Sequence, residues 1–547
     1  MGRLLGGAFL SFFVSMVSLP QVSLAREASD ERSFSGVESN ESLGLACDGF
    51  EDEHLAIDGY LAERWDAPAS ATDDLVAALA GVSVECVEEM IRAGRRVPVP
   101  APHARGVIHE LSVTCEHVDY SSDYYLYVPP SYVEGVPTPL VAIGHGGNGA
   151  MSQSRANSTA RSYMTRYMAY AQAPLNAILV APATRHGWNQ AGYSLLFSTI
   201  SKTKSEYTID PDRVYVSGQS MGGHLSWRAG YLFPDRWGAV APQSGGYTSW
   251  VEEERLRNFF NLPGYTTWGQ TELYGLDDTN EALAAWLSEH EFGWITTEVP
   301  GHHPIDAASQ PLITQFFVDN PRNLYPCATH YHLWGPLVLN NPAPVSIIEG
   351  REYWWNTQRW LEVEPAADTS TRVSIHAEID GNTVHVDSNN VRRFSIYTHP
   401  ELFDLTTPIT VVVNGDVLFS GLVPVDLGLM LETVREYDDR GRIFHGKVDI
   451  DVTTDVPVPP PVGDDTVCAT VDHSLLRAVA TATAPVTPPL EVLLPLDPVR
   501  DAVLPDFVSG DVDPDAGSFP LVFYGLSSDL PTLRVVKTGA GDVRITW

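Results

Sequence analysis

Six apolar stretches between residues 139 and 303 share one design. "PLVAIGHGGNG" (139–149), "NAILVAPATRHGWN" (176–189), "DPDRVYVSG" (210–218), "WGAVAPQSGG" (237–246), "GYTTWGQTE" (264–272) and "WITTEVPGHH" (294–303) each run into glycine or small polar residues. Helical stretches such as "ARSYMTRYMAYAQ" separate them. Strands that are apolar throughout, rather than alternating, need both faces covered. That requirement predicts a mostly parallel sheet flanked by helices, an α/β architecture over residues 105–365. Ligands of such sheets bind beyond the carboxyl ends of the strands. Most of the Gly, Ser, His and acidic residues of these six stretches fall at those ends.

The rest of the chain reads differently. Residues 1–25 carry Arg3, an apolar run from Leu4 to Val17, Pro20 and Ser23-Leu24-Ala25. This is the pattern of a secretory signal peptide, so the mature protein is expected to be secreted or periplasmic, with no membrane segment. Residues 26–104 read as an N-terminal helical extension and linker, with helical spacing over Asp73–Arg96. Beyond residue 370 the apolar period becomes two, and Asp380-Gly381-Asn382 and Asn414-Gly415-Asp416 mark hairpins. A β-sandwich-like accessory module is expected over 370–454. A Pro-rich linker then leads to a Pro/Asp-rich, loosely β segment over 465–547. The five cysteines form no CxxC and no zinc-like spacing, so they read as structural and no metal or cofactor is expected. A net charge of −35 repels nucleic acid and anionic membranes and excludes both as partners.

Ser220 stands out within "VYVSGQSMGGHLSW" (214–227). Gly218-Gln219-Ser220-Met221-Gly222 is a G-x-S-x-G between a strand and a helix. Such a corner holds the serine in a strained backbone conformation and presents its hydroxyl at a helix N-terminus. A serine nucleophile needs a base and an orienting acid. The base candidates are His302 and His303, which end the last apolar strand. Distance past the strand favours His303, and the small residue just before it favours His302. His186 and His224 flank the same sheet end but stand in the wrong chain order. For the acid, Glu272 stands three residues after Gly269, where a strand turns out. Asp277 and Asp278 precede a helical run, and capping that helix is their simpler role. A tetrahedral oxyanion needs backbone donors, and Met221 and Gly147 are placed to supply them. No lysine follows "GHGGNG", which sets aside a phosphate cradle. Trp188 and Tyr193 lie near a strand end as candidate substrate contacts.

"EYTIDPDRVYVSGQSMGG", "LVAIGHGG", "RHGWN", "APQSGG" and "EVPGHH" together resemble the α/β-hydrolase superfamily. The likeness covers residues 105–320 and is strongest toward secreted polyhydroxybutyrate depolymerase and feruloyl esterase-like enzymes, with prolyl-oligopeptidase-like hydrolases nearby. The resemblance implies the α/β-hydrolase fold and puts the nucleophile on Ser220. It puts the acid on Glu272, where the family usually carries aspartate. It implies a small-molecule or polymeric ester as substrate, cleaved through a Ser-His-acid triad and an acyl-enzyme. A serine peptidase, or a binding protein on an inactive hydrolase scaffold, are the competing readings.

Overall fold

The computed structural model describes residues 47, 49–63, 70–97, 100–115, 119–147, 150–188, 190–246, 253–290, 292–334, 356–364 and 372–452, and strands at 491–495, 518–521, 533–539 and 542–546. The expected signal peptide lies outside the described residues.

The six apolar stretches all become strands of one eight-stranded sheet. Its strands are β1 (Ile108–Thr114), β2 (Ser121–Tyr127), β3 (Thr138–Gly144), β4 (Ile178–Pro182), β5 (Ile209–Gln219), β6 (Val240–Gln243), β7 (Gly264–Gly269) and β8 (Trp294–Val299), in the order β1-β2-β4-β3-β5-β6-β7-β8. Pairing is antiparallel from β1 to β4 and parallel from β4 through β8. Successive residues of the central strands enter different cores. Leu140, Ala142, Val214 and Val216 join one apolar cluster, while Val141, Ile143 and Tyr215 join the other. Burial on both faces is why the buried segments Leu140–Ile143 and Val214–Val216 are apolar at every position. The covering helices include α4 (Gln153–Arg166), α5 (Gln190–Glu206), α6 (Met221–Leu232), α7 (Leu276–Glu289) and α8 (Ser309–Asp319). This is the α/β-hydrolase fold.

The register sets the carboxyl ends of the central strands level. Gly144 pairs with Gly218, Gln219 with Gln243, and Gly269 with Val299. Whatever follows each of these residues emerges along a single edge.

Two further sheets follow. One has the order β10-β11-β14-β17, from Thr357–Gln358, Leu361–Glu364, Arg393–Thr398 and Gly446–Asp451. The other has the order β16-β15-β13-β12-β9, from Asp416–Gly421, Ile409–Val413, Thr383–Asn389, Arg372–Asp380 and Ala328–Trp334. Val363, Phe394, Val448 and Ile450 of the first share a core with Tyr331, Ile375 and Val386 of the second. Asn414 and Gly415, with φ of 51° and 94°, make the β15–β16 turn with both residues in the left-handed region. The β layer begins earlier than residue 370. β9 pairs along its length with β12, so residues 328–334 belong with the later strands rather than with the eight-stranded sheet. The strands at 491–546 form a separate four-stranded antiparallel sheet.

Three helices, Glu51–Glu63 (α1), Ala71–Ala78 (α2) and Val84–Arg92 (α3), precede the large sheet. Glu88 of α3 meets His399 and His445 of the β layer, at 3.3 Å and 2.9 Å. Cys86 of α3 and Cys47 are each disulfide-bonded. Buried ion pairs join the β layer to the large sheet. Arg322 donates to Asp212 at 2.9 Å and to Asp439 at 3.0 Å, and Arg442 donates to Asp235 at 2.6 Å. Among the described residues no helix is long and apolar enough to cross a membrane.

Candidate active site

β5 ends at Gln219, and α6 begins at Met221, so one residue makes the whole turn. Ser220 makes it with φ 60° and ψ −124°, a conformation that L side chains rarely adopt and that costs about 1–3 kcal/mol. The turn closes only because glycine lines it. A Cβ added to Gly222 would lie 1.9 Å from the Gly144 carbonyl oxygen. Ser220 N–H donates to the Gln243 carbonyl on β6, fixing the corner against the next strand. The first backbone N–H groups of a helix lack intrahelical acceptors, and Met221 N–H is the first of α6.

The last strand delivers the histidine. His303 has φ 54°, and its Nδ1 lies 2.5 Å from Glu272 Oε2. Glu272 is fully buried through its side chain, while His303 retains some exposure. The second carboxylate oxygen, Oε1, accepts from Gly269 N–H at 2.6 Å. Burial of the Glu272 carboxyl pushes its pKa up. The hydrogen bonds from His303, Gly269 and Ser244 outweigh burial and hold it below its ordinary value. The carboxylate is therefore charged at neutral pH and acts as an acceptor toward Nδ1–H of His303. With Nδ1–H so engaged, Nε2 is the ring nitrogen left to accept a proton.

His302 turns elsewhere. Its Nδ1 hydrogen-bonds the Thr271 carbonyl, and the side chain is exposed. Asp277 and Asp278 sit in the first turn of α7, where Asp277 accepts from Asp278 N–H at 3.1 Å. The N-cap itself is Gly275 and no side chain caps the helix, so the expected capping role is not found; the two carboxylates only stand in its first turn. Ser220 Oγ makes no hydrogen bond to another described residue. His224 packs against the Gly246 carbonyl at 2.6 Å, and burial pushes its imidazole down to about 4. His186 stacks edge-on to Tyr120, with ring centroids 5.5 Å apart.

Gly147 follows β3 on the same edge, exposed and with φ 135°, a backbone open to glycine. The loop before it is tied down by His145. His145 is fully buried, and burial pushes its pKa down to about 4. The neutral ring uses Nδ1 toward the Gly146 carbonyl at 2.9 Å and accepts from Thr184 N–H through Nε2 at 3.1 Å. Here the expectation for Trp188 fails. Trp188 is 4% exposed, its Nε1–H donates to the His145 carbonyl at 3.0 Å, and its ring packs on His145. An indole with its face against the core props the glycine loop and offers no surface to a substrate. Tyr193 is likewise buried, against Phe233.

Residues that sequence reasoning passed over also shape the site. Ser244, with φ 41°, ends β6, and its hydroxyl donates to the Pro304 carbonyl at 2.8 Å. Gln219 contacts the histidine loop through its side chain. Ser244 was detectable as a polar residue just past a buried strand; Gln219 occupies a freely variable position of its pentapeptide and carried no signal. Among the described residues, Glu88, His399 and His445 place potential metal-ligand atoms within 4.8 Å of one another. Glu88 and His399 already have other hydrogen-bond partners. Glu88 accepts from Arg92 at 2.9 Å, and His399 Nδ1 accepts from Glu401 N–H at 3.2 Å, which puts the ring proton on Nε2, facing Glu88. A ligating imidazole instead donates through its second nitrogen.

No protein-family model and no curated protein matches the chain. Solved structures share part of its course. A thermostable esterase is similar at 19% identity over 39% of this chain and 63% of its own, with a TM-score of 0.33, so the match spans less than two thirds of that enzyme. A ferulic acid esterase is similar at 15% identity over 40% of this chain and 99% of its own, with a TM-score of 0.32. A substrate-bound fluorophosphonate-binding serine hydrolase of Staphylococcus aureus is similar at 14% identity over 39% and 98%, with a TM-score of 0.31.

Proposed function

We propose that the protein is a serine hydrolase that cleaves carboxylic esters. The observation that carries this reading is the 2.5 Å pair of His303 Nδ1 and the buried Glu272 carboxylate, on the same sheet edge as Ser220 at its strained corner. In this reading His303 Nε2 takes the proton of Ser220 Oγ as the oxygen attacks the ester carbonyl carbon. The carbonyl oxygen becomes an oxyanion and receives hydrogen bonds from Met221 N–H and Gly147 N–H. The imidazolium, stabilised by Glu272, gives its proton to the departing alkoxide, and the acyl group stays on Ser220. Water, deprotonated by His303, then releases the acid and restores the serine.

Small or polymeric esters, including polyhydroxybutyrate and feruloyl esters, are the substrate class we assign. A panel of p-nitrophenyl, feruloyl and polyester substrates tests it on wild type and Ser220→Ala. Equal turnover by the two proteins refutes the reading, and faster cleavage of chromogenic peptides than of esters makes the protein a peptidase instead. We also place the protein outside the cytoplasm. Support comes from the leader-like residues 1–25 and the disulfide at Cys86, a bond that persists in oxidising compartments. N-terminal sequencing of exported protein is expected to find Arg26 first.

A further inference from the structure

Three chain segments must keep register around Ser220: the glycine loop after β3, the corner itself, and the loop bearing His303. One side chain touches the scaffolds of all three. Gln219 is 5% exposed. Its Oε1 accepts from Tyr163 Oη–H at 2.5 Å, and its Nε2–H donates to the His303 carbonyl at 3.1 Å. Tyr163, from α4, lies against the glycine loop: a Cβ added to Gly146 would fall 2.2 Å from Tyr163 Oη and 3.2 Å from the Gln219 carbonyl. The histidine loop has a second strut one residue on, where Ser244 Oγ–H donates to the Pro304 carbonyl.

The chemistry of this position is selective. Tyr163 offers a hydroxyl proton and His303 offers a carbonyl oxygen, so the bridging group must accept at one atom and donate at another. A primary amide does both in one plane. An ionised carboxylate would accept from Tyr163 and then face the His303 carbonyl with like polarity. An aliphatic side chain would strip the bond from the buried Tyr163 hydroxyl and from the part-buried His303 carbonyl. The tie also bears on backbone geometry. His303 sits at positive φ, where a non-glycine residue stays only if its surroundings hold it. The bond to its own carbonyl fixes the peptide plane on which that conformation, and hence the direction of the ring, depends.

We propose that Gln219 is a positioning residue, joining the histidine loop to the glycine loop through Tyr163 so that the His303 ring stays aligned between Ser220 and Glu272. The inference rests on the hydrolase reading above. Gln219 acts through His303, so its loss is expected in kcat rather than KM. A misplacement of about 1 Å at a reacting group lowers the rate on the order of 100-fold.

The test compares full-length wild type, Gln219→Leu, Gln219→Glu and Tyr163→Phe. Rates of p-nitrophenyl acetate hydrolysis are measured from pH 6 to pH 9 and normalised to sites titrated by a fluorophosphonate, so that misfolded protein does not enter. Gln219→Leu is expected to lose roughly 10- to 100-fold in kcat with KM nearly unchanged. Tyr163→Phe should fall between it and wild type. Gln219→Glu supplies the readout that a packing role would not move. Protonated, the carboxyl again donates to His303 and accepts from Tyr163, so its deficit relative to wild type should shrink as pH falls. Wild-type kcat in Gln219→Leu, or a deficit in Gln219→Glu that does not vary with pH, overturns the inference while the hydrolase reading stands. A wild-type protein that takes no label on Ser220 overturns both.

Discussion

Replacing Glu272 by glutamine changes one atom and tests the core of the proposed chemistry. The two carboxylate oxygens serve two donors, Gly269 N–H at 2.6 Å and His303 Nδ1 at 2.5 Å. An amide has one oxygen for both. If that oxygen faces His303, the amide NH2 opposes the buried Gly269 N–H, and an unsatisfied buried donor costs about 1–3 kcal/mol. If the oxygen faces Gly269, the NH2 points at Nδ1 and drives the ring proton to Nε2. His303 then presents a hydrogen, not a lone pair, toward Ser220. The second arrangement is favoured by the backbone donor, and a wrong tautomer of this kind lowers kcat about 10⁴-fold, or about 5 kcal/mol of barrier. Loss of the negative charge beside the imidazolium acts in the same direction. The assay is kcat for p-nitrophenyl acetate at pH 8 with thermal melting as control. We expect KM to hold within about threefold, because Glu272 meets His303 and not the substrate in this mechanism. A folded Glu272→Gln variant that keeps kcat within tenfold of wild type would falsify the assignment of Glu272 as the orienting acid.

Other outcomes follow from the same geometry. His303→Ala should abolish turnover to within about 10⁴-fold of the uncatalysed level, whereas exposed His302, bonded to Thr271, should tolerate alanine with less than about threefold loss; the reverse ranking by ester assay would move the base to His302. Because Glu272 titrates below its ordinary value of 4.5 in the folded state, the unfolded chain binds the extra proton first. Its stabilisation is complete above that value and fades as pH falls through the lowered folded value. Denaturant titrations should therefore show wild type losing more stability on acidification than Glu272→Gln, and parallel curves would contradict this. Gly222→Ala sets a methyl 1.9 Å from the Gly144 carbonyl and should yield little folded protein; a normal melting temperature would contradict the tight crossing of β3 and α6. Asp235→Ala leaves the Arg442 guanidinium buried without its partner, a loss of about 3–5 kcal/mol measurable by urea unfolding.

How much of this was legible in the chain depends on how local each feature is. The corner at Ser220 is a matter of consecutive residues: β-branched strand, glycine, serine, glycine, helix. Glu272 could be reached because three residues past Gly269 is a short walk along one loop. The choice between His302 and His303 could not be made the same way. It turns on which ring meets a carboxylate brought in from residue 272, and adjacent side chains on a tight turn point apart. Trp188 misled because a tryptophan at a strand end reads alike whether it faces substrate or core; its burial is decided by the neighbouring His145 carbonyl. The membership of β9 was hidden for a related reason. Its pairing partner β12 lies beyond an intervening stretch of chain, and a lone strand carries no mark of its sheet. The docking of α3 was equally out of reach, since Glu88 meets histidines more than 300 positions away.

The arginine–aspartate seam has a bearing on how the protein can be cut. Arg322, Asp212, Asp235, Asp439 and Arg442 interlock across residues widely separated along the chain. A fragment ending near residue 365 would strip Asp439 from Arg322 and Arg442 from Asp235, exposing a seam built for the dry interior. The eight-stranded sheet and the β layer should accordingly melt together in a single calorimetric peak, and a protease nicking between them should release no freestanding large-sheet fragment.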